Sequence, residues 1–380
     1  MSTNRRVVVF AEYGWRNGGE NSLLAVVKGL REKGWDFVFA CPGATELSRY
    51  LNEVDIQQTQ WNVFDEEGAR KSQDQIRDEM SAIITEQNPA IVHCNSLSTG
   101  RLAGPVTNEM QVPGLGYLRD IMKLSQKAIS DLNHLDQIVA VSAATREFHV
   151  AQGLLPAKVQ VVHNGVDLDE FRPRDPTGFL HRELGLSSDS MIALCIGQIG
   201  LRKGTDTVIE SFIRLCKEID GLQLVLIGMR NSQKQESVDF ESKCHRIGEE
   251  SPFAKQIHWL GRRGDVCQIL NEAKILLHGA RQEPLGRVLL EASASGCPFV
   301  ATRVGGTDEI VGDCSPEITM CDVDSAEQMT HSAKKILTDD ECWQRISDEI
   351  RNSAESKFHD RRCVEDLNVI YQRLAQAKSN

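Results

Sequence analysis

Short, largely apolar runs alternate with segments of helical periodicity along most of this chain, and the runs come in two series. The first series occupies residues 7–11, 36–41, 90–94, 114–118, 137–142 and 159–162; the second occupies 191–196, 222–227, 257–260, 275–278 and 299–302. A run with no polar face must be covered on both sides, and helices packed on either side of a parallel sheet provide that cover. The fold class is therefore α/β with mostly parallel sheets. At 380 residues the chain exceeds what one hydrophobic core usually holds. Each series is accordingly read as a doubly wound domain, the two facing a cleft of the kind that commonly holds a ligand. Between the series, the His163-Asn164-Gly165 turn, Pro173 and Pro176 interrupt regular structure. The expected division is 1–172, 173–357 and a C-terminal helix at 358–380, whose return to the N-terminal domain is left open. The final helical segments, 325–337, 340–358 and 360–377, interleave polar and apolar residues and read as structural.

Residues 281–296, RQEPLGRVLLEASASG, carry the first sign of chemistry. Pro284 suits a first helical position and Gly296 a stop, so a helix is expected to open just after Glu283 and to carry Glu291 near its middle. On one helix, eight residues would separate the two glutamates by about 12 Å and about 80°. Paired glycosidase carboxylates stand roughly 5–9.5 Å apart, so this spacing suits a ligand lying along the helix instead. The backbone N–H groups of Leu285 and Gly286 at the helix opening would receive an anionic group, with no Cβ at Gly286 to obstruct it. The competing reading is an amphipathic core helix with two solvated glutamates.

Two glycine turns follow first strands. The 15–22 turn, with Gly18 and Gly19, runs into a helix at the carboxyl edge of the first sheet, where open α/β folds bind ligands. The loop GQIGLRKG, 197–204, places Arg202 and Lys203 beside a helix start, a combination suited to a diphosphate, although it lacks the Walker order. His93, Asn95, Arg119, Asp120 and Ser142 fall at strand ends on the same expected edge. Asp167 with Asp169 and Asp322 with Asp324 read as turn or capping residues, so no metal is expected. GxSxG and HExxH are absent.

Composition excludes several classes. A formal charge of −11 argues against general nucleic-acid binding, and no apolar run is long enough to cross a bilayer. Eleven cysteines without a CxxC pair read as thiols of a reducing compartment. The start MSTNRRVVVF passes directly from a basic arm into a strand-like run, so no signal peptide is expected and the location is read as cytoplasmic.

Taken in order, GGENSLL, VVHNGVDLDEF, GQIGLRKG, EPLGRVLLE and VGGTDEIV resemble the retaining glycosyltransferases of family four, the group 1 glycosyl transferases, which have the GT-B fold of two Rossmann-like domains. The resemblance implies that Glu291 holds the donor ribose and Glu283 the hydroxyls of the donor sugar. It gives the diphosphate to Lys203 and the amides of Leu285 and Gly286, with Gly18 and Gly19 approaching from the first loop. Arg230 and Arg262 would add nucleotide contacts. The chain departs from the family pattern at Gln198, where arginine is usual and Arg202 is the substitute; at Leu285, where phenylalanine is usual; and at Leu118-Arg119-Asp120, where a histidine is usual. Arg119 thereby joins Glu283 and Lys203 among the catalytic candidates.

The implied activity is transfer of a hexosyl unit from a nucleotide diphosphate sugar to a hydroxyl of a glycan or lipid-linked acceptor. The anomeric configuration is kept, and neither metal nor cofactor takes part. The donor would bind the C-terminal domain and the acceptor the N-terminal one, with peripheral contact at the inner face of a membrane where the acceptor is lipid-linked. The alternatives are a sugar-nucleotide epimerase, a phosphorylase on the same fold, or a non-catalytic partner subunit that binds a nucleotide sugar.

Overall fold

The structure is a computed structural model that describes residues 4–16 and 18–377; Asn17 of the first glycine turn lies outside the described residues. The chain forms two compact units, the first comprising 1–165 and 360–380 and the second 166–359.

Among the described residues of the first unit, a parallel sheet contains β1 (Arg6–Phe10), β2 (Asp36–Cys41), β3 (Gln57–Gln60), β4 (Ile91–Cys94), β5 (Gly114–Leu118), β6 (Gln137–Ala140) and β7 (Val159–Val161), in the order β3-β2-β1-β4-β5-β6-β7. β1 is central, pairing Val8 with Val38 on one side and with Val92 on the other. Val8, Phe10, Val38 and Val92 meet Ile76 and Met80 of the helix Gln73–Gln87 in one buried cluster. A second cluster joins Leu118, Ile138 and Leu132. Strand order reverses between β1 and β4, which makes their carboxyl ends the unit's ligand crevice.

The second unit repeats this plan with β8 (Met191–Ile196), β9 (Leu222–Ile227), β10 (Ile257–Gly261), β11 (Ile275–His278), β12 (Phe299–Thr302) and β13 (Met320–Cys321), in the order β10-β9-β8-β11-β12-β13. Its reversal falls between β8 and β11, which bracket the 197–204 loop and the approach to Glu283.

The final helix, Asp360–Ala377, belongs to the first unit. Trp35 Nε1 donates to Asn368 Oδ1 at 2.9 Å, and Val364 fills the space left by Gly29. The crossing into the second unit falls after Gly165, seven residues before the expected position. Gly165 stays in the first unit because its Cα lies so close to Asp360 that a Cβ would come within 2.3 Å of the Asp360 Cα, whereas Val166 N–H donates to the Phe358 carbonyl of the second unit at 2.8 Å.

Several elements depart from the expectations. β3, sequence QQTQ, is an edge strand with no apolar residue to announce it. The helix Leu97–Glu109 begins beneath a Ser96–Thr99 capping box and tolerates Pro105, and the helix Gln126–Asn133 is short. Thr307 opens the short helix Thr307–Val311, and its hydroxyl donates to the Val304 carbonyl at 2.7 Å. No helix among the described residues is long and apolar enough to cross a membrane. The eleven cysteines are all unpaired thiols.

Candidate functional site

In the second unit, three side chains converge at the β8/β11 reversal. Glu283 Oε2 receives Lys203 Nζ and, at 3.0 Å, His278 Nε2. His278 ends β11 and is buried. Glu283 is 5% exposed. Burial by itself would push the Glu283 carboxyl up; the Lys203 ammonium and the His278 hydrogen bond overcome this and hold it well below the usual carboxylate range. Burial, reinforced by Lys203, keeps the His278 imidazole below its ordinary value despite the opposing Glu283 hydrogen bond. A neutral imidazole that faces an ionised carboxylate must carry its proton on Nε2. The site therefore presents a fixed anion, a cation and a neutral donor.

Backbone contacts hold this group in place. The Arg281 and Gln282 N–H groups donate to the Arg202 carbonyl at 2.8 and 3.3 Å, and Gly306 N–H donates to the Glu283 carbonyl at 3.0 Å. Gly204 has φ +58° and lies so close to Gly279 that a Cβ would fall 1.8 Å from the Gly279 oxygen. The glycine at that position thus lets the 197–204 loop close onto the segment carrying Glu283. Arg281 adds hydrogen bonds to Asp324 Oδ1 at 2.6 Å, the Leu201 carbonyl at 2.8 Å and Asp206 at 3.0 Å. Arg202 reaches the Gln282 carbonyl at 3.4 Å.

The helix expected after Glu283 starts later. It spans Arg287–Ala294 with Gly286 as its N-cap at φ +111°, a backbone conformation that cannot continue a right-handed helix. Pro284 and Leu285 therefore precede the helix, and the two glutamates do not share one helical axis. The Cβ-free side of Gly286 also faces Leu289, Ile310 and the Glu283 stem at 3.1–3.4 Å, so packing and positive φ already call for glycine at this position. Glu291 lies within the helix, with Arg287 Nη2 on its Oε1 at 2.8 Å.

The remaining candidates are more dispersed. Arg230 follows β9 and pairs with Glu241 at 2.7 Å, held by its own loop through Gln233 at 3.1 Å. Arg262 is exposed after β10. Asp167 receives the Asp169 and Glu170 N–H groups at 2.8 and 3.0 Å, a local turn. Asp322 holds Gln328 and Asp324 holds Arg281, while Ser325 caps the following helix.

In the first unit, Arg119 directs Nε and Nη2 onto Asn95 Oδ1 at 3.1 and 3.0 Å and Nη1 onto Asn164 Oδ1 at 3.0 Å. Its guanidinium lies 4.0 Å from the centroid of the Tyr117 ring. Gly19, in the first turn of the helix Gly18–Glu32, has room for no bulky group: a Cβ would lie 3.1 Å from Arg119 Cδ. His93 stacks on Tyr117 and shares a 2.6 Å hydrogen bond with the hydroxyl of Tyr371 from the final helix. Burial lowers its imidazole to about 3, and Arg119 acts in the same direction. Sequence reasoning missed His278, Asn164 and Tyr371 as members of these groups. Only His278, five residues before Glu283 at a strand end, carried a local signal.

Two parallel sheets of Rossmann order, one with a buried Lys–Glu–His group at its strand-order reversal, define an α/β protein of paired doubly wound units. Residues 177–353 match the family described as Glycosyl transferases group 1, and residues 16–170 match Glycosyltransferase Family 4. The matches span nearly the whole chain, and the chain belongs to glycosyltransferase family four. It is 26% identical over 226 residues to N-acetyl-alpha-D-glucosaminyl L-malate synthase of Bacillus anthracis, covering 58% of this chain and 55% of that protein. It is 27% identical over 185 residues to the GPI3 subunit of phosphatidylinositol N-acetylglucosaminyltransferase of Saccharomyces cerevisiae, covering 47% and 38%. The chain thus spans about half or less of the length of these curated relatives. Anabaena HepE in complex with UDP-glucose has the same fold, with a TM-score of 0.82 at 18% identity over 98% of this chain and 99% of that one.

Proposed function

We propose that this glycosyltransferase moves a hexosyl unit from a nucleotide diphosphate sugar to a hydroxyl acceptor, with retained configuration. The observation that carries this reading is the buried Glu283 carboxylate, held ionised by Lys203 and His278 where the second sheet reverses its strand order. An ionised, desolvated carboxylate accepts hydrogen bonds from sugar hydroxyls, and an adjacent ammonium favours charge developing on a departing diphosphate. The solved structure of Anabaena HepE, which shares the fold, contains UDP-glucose.

In this reading Glu283 receives donor-sugar hydroxyls, and Lys203 with Arg202 and the amides around Leu285 and Gly286 takes the diphosphate. Glu291 takes the ribose, exchanging its Arg287 partner for ligand hydroxyls, and Arg230 lies beside the nucleotide. Gly18, Gly19 and Arg119 act from the first unit, which receives the acceptor. The acceptor oxygen bonds to the anomeric carbon on the face that the nucleoside diphosphate leaves, and the departing phosphate takes the acceptor proton. Neither metal nor cofactor has a role. The acceptor is a glycan or a lipid-linked sugar, reached from the cytoplasmic side of a membrane in the second case.

Thermal shift with UDP-, GDP- and ADP-sugars tests the donor, because a ligand selective for the folded chain raises its melting temperature. One series should stabilise the parent. Glu291→Ala should weaken that binding tenfold or more, while losing only about 0.3–0.5 kcal/mol of stability with its Arg287 pair. Equal binding by parent and variant would refute the assignment. NMR of the product anomer tests retention, and conversion of donor without acceptor would indicate an epimerase.

A further inference from the structure

The first unit contains a buried carboxylate that the donor site does not use. Glu12 lies just beyond β1 and is 3% exposed. Its Oε1 receives Arg70 Nη1 at 2.8 Å, but Arg70 Nη2 turns away to Ser98 Oγ at 3.2 Å. Glu12 Oε2 consequently meets no donor among the described residues. An arginine–carboxylate pair that served only stability would gain most by placing both nitrogens on both oxygens. Leaving a buried carboxylate oxygen without a donor costs free energy, so the arrangement is explained best by a donor that arrives from outside.

The surroundings specify the visitor. Ser98 lies in the first turn of the helix that follows β4, so Glu12 and Ser98 flank the β1/β4 reversal where the unit's crevice opens. Two aromatic side chains at this edge remain in water: Tyr13, 45% exposed, and Phe64, 37% exposed, the latter 5.8 Å from the Arg70 guanidinium. The Tyr13 phenol is raised by burial and further by the carboxylates of Glu12, Glu20 and Asp120, with Arg70 opposing. That field disfavours an anionic ligand and favours neutral groups that donate hydrogen bonds. Exposed rings beside a hydrogen-bond acceptor match a molecule with a C–H face and a hydroxyl rim.

We propose that Glu12, Arg70 and Ser98, together with the Tyr13 and Phe64 rings, form the acceptor subsite, and that it takes a neutral polyhydroxyl ring, a sugar or cyclitol, whose O–H donates to Glu12 Oε2. The proposal rests on the transferase reading for the word acceptor, but the binding itself does not. Oε2 is shielded from solvent in the unliganded chain, so binding requires a side chain at this edge to move aside.

The test is calorimetry on the full chain, with and without UDP, using methyl α-D-glucopyranoside and myo-inositol as neutral probes and inorganic phosphate and L-malate as anionic ones. Neutral probes should bind saturably and more tightly than the anions. Glu12→Gln, which keeps the size but removes the charge and an acceptor oxygen, should raise the neutral-probe Kd tenfold or more; Tyr13→Ala should raise it several-fold. Should Glu12→Gln melt far below the parent, Tyr13→Ala and Phe64→Ala, both at exposed rings, decide the matter. Preference for the anions, or a Kd within twofold of the parent in every folded variant, overturns the proposal. Repeating the titration with the sugar on phosphatidylcholine vesicles separates a lipid headgroup from a free sugar. Failure of every nucleotide sugar to bind or be cleaved would defeat the transferase reading, while the polyol titration would still report on this subsite.

Discussion

Replacing Lys203 with alanine would strip the buried Glu283 carboxylate of its cation. The Lys203 side chain is 18% exposed and that of Glu283 7%, so solvent can replace little of the lost interaction. Removing one partner of a buried ion pair typically costs about 3–5 kcal/mol. His278 remains on the same carboxylate oxygen at 3.0 Å, which places the expected loss at the lower end, about 3 kcal/mol at pH 8. The loss should depend on pH, because His278 titrates differently in the two proteins. In the parent, the folded His278 pKa lies below its unfolded value of 6.5. Its contribution is therefore present above pH 6.5 and declines as pH falls. In the variant the repelling ammonium is gone while burial and the carboxylate partner remain, so the folded His278 pKa should be higher than in the parent. The variant consequently loses less stability than the parent as pH falls below 6.5, and the gap between them should narrow between pH 6.5 and pH 5, by no more than about 1.4 kcal/mol per pH unit. Urea unfolding, followed by hydrogen exchange resolved to the 166–359 unit, measures both quantities. A loss below about 1 kcal/mol, with a gap that does not change across this range, would refute the description of Lys203, Glu283 and His278 as one electrostatic group.

Two further outcomes follow from the geometry. Gly204→Ala should cost several kcal/mol and weaken donor binding, since its Cβ would fall 1.8 Å from the Gly279 oxygen; Gly185→Ala, also at positive φ but with nothing within 4 Å, should cost only about 1–2 kcal/mol. Equal melting temperatures for the two variants would contradict the loop closure. His93, lowered to about 3, should remain neutral in NMR from pH 8 to pH 5; because the unfolded chain takes up that proton below about 6.5, stability of the first unit should fall as pH drops through this window. A His93 midpoint above 6 would contradict its burial.

The sequence by itself determined the α/β class, because apolar runs such as 7–11 can be buried only with helices on both faces, whichever partners they find. It also located the Glu283 segment and the GQIGLRKG loop, since their chemistry is written in adjacent residues. It could not announce β3, whose polar residues lie at a sheet edge where burial makes little demand. The helix start depended on φ at Gly286, whose value of +111° ends any helical reading of Pro284 and Leu285 and is not written in the local residue pattern. Only tertiary structure brought His278 onto Glu283 and Tyr371 onto His93, 278 residues apart in sequence. The protonation states of these groups arise from desolvation by surroundings assembled from distant segments, a property of the folded interior that local periodicity does not encode.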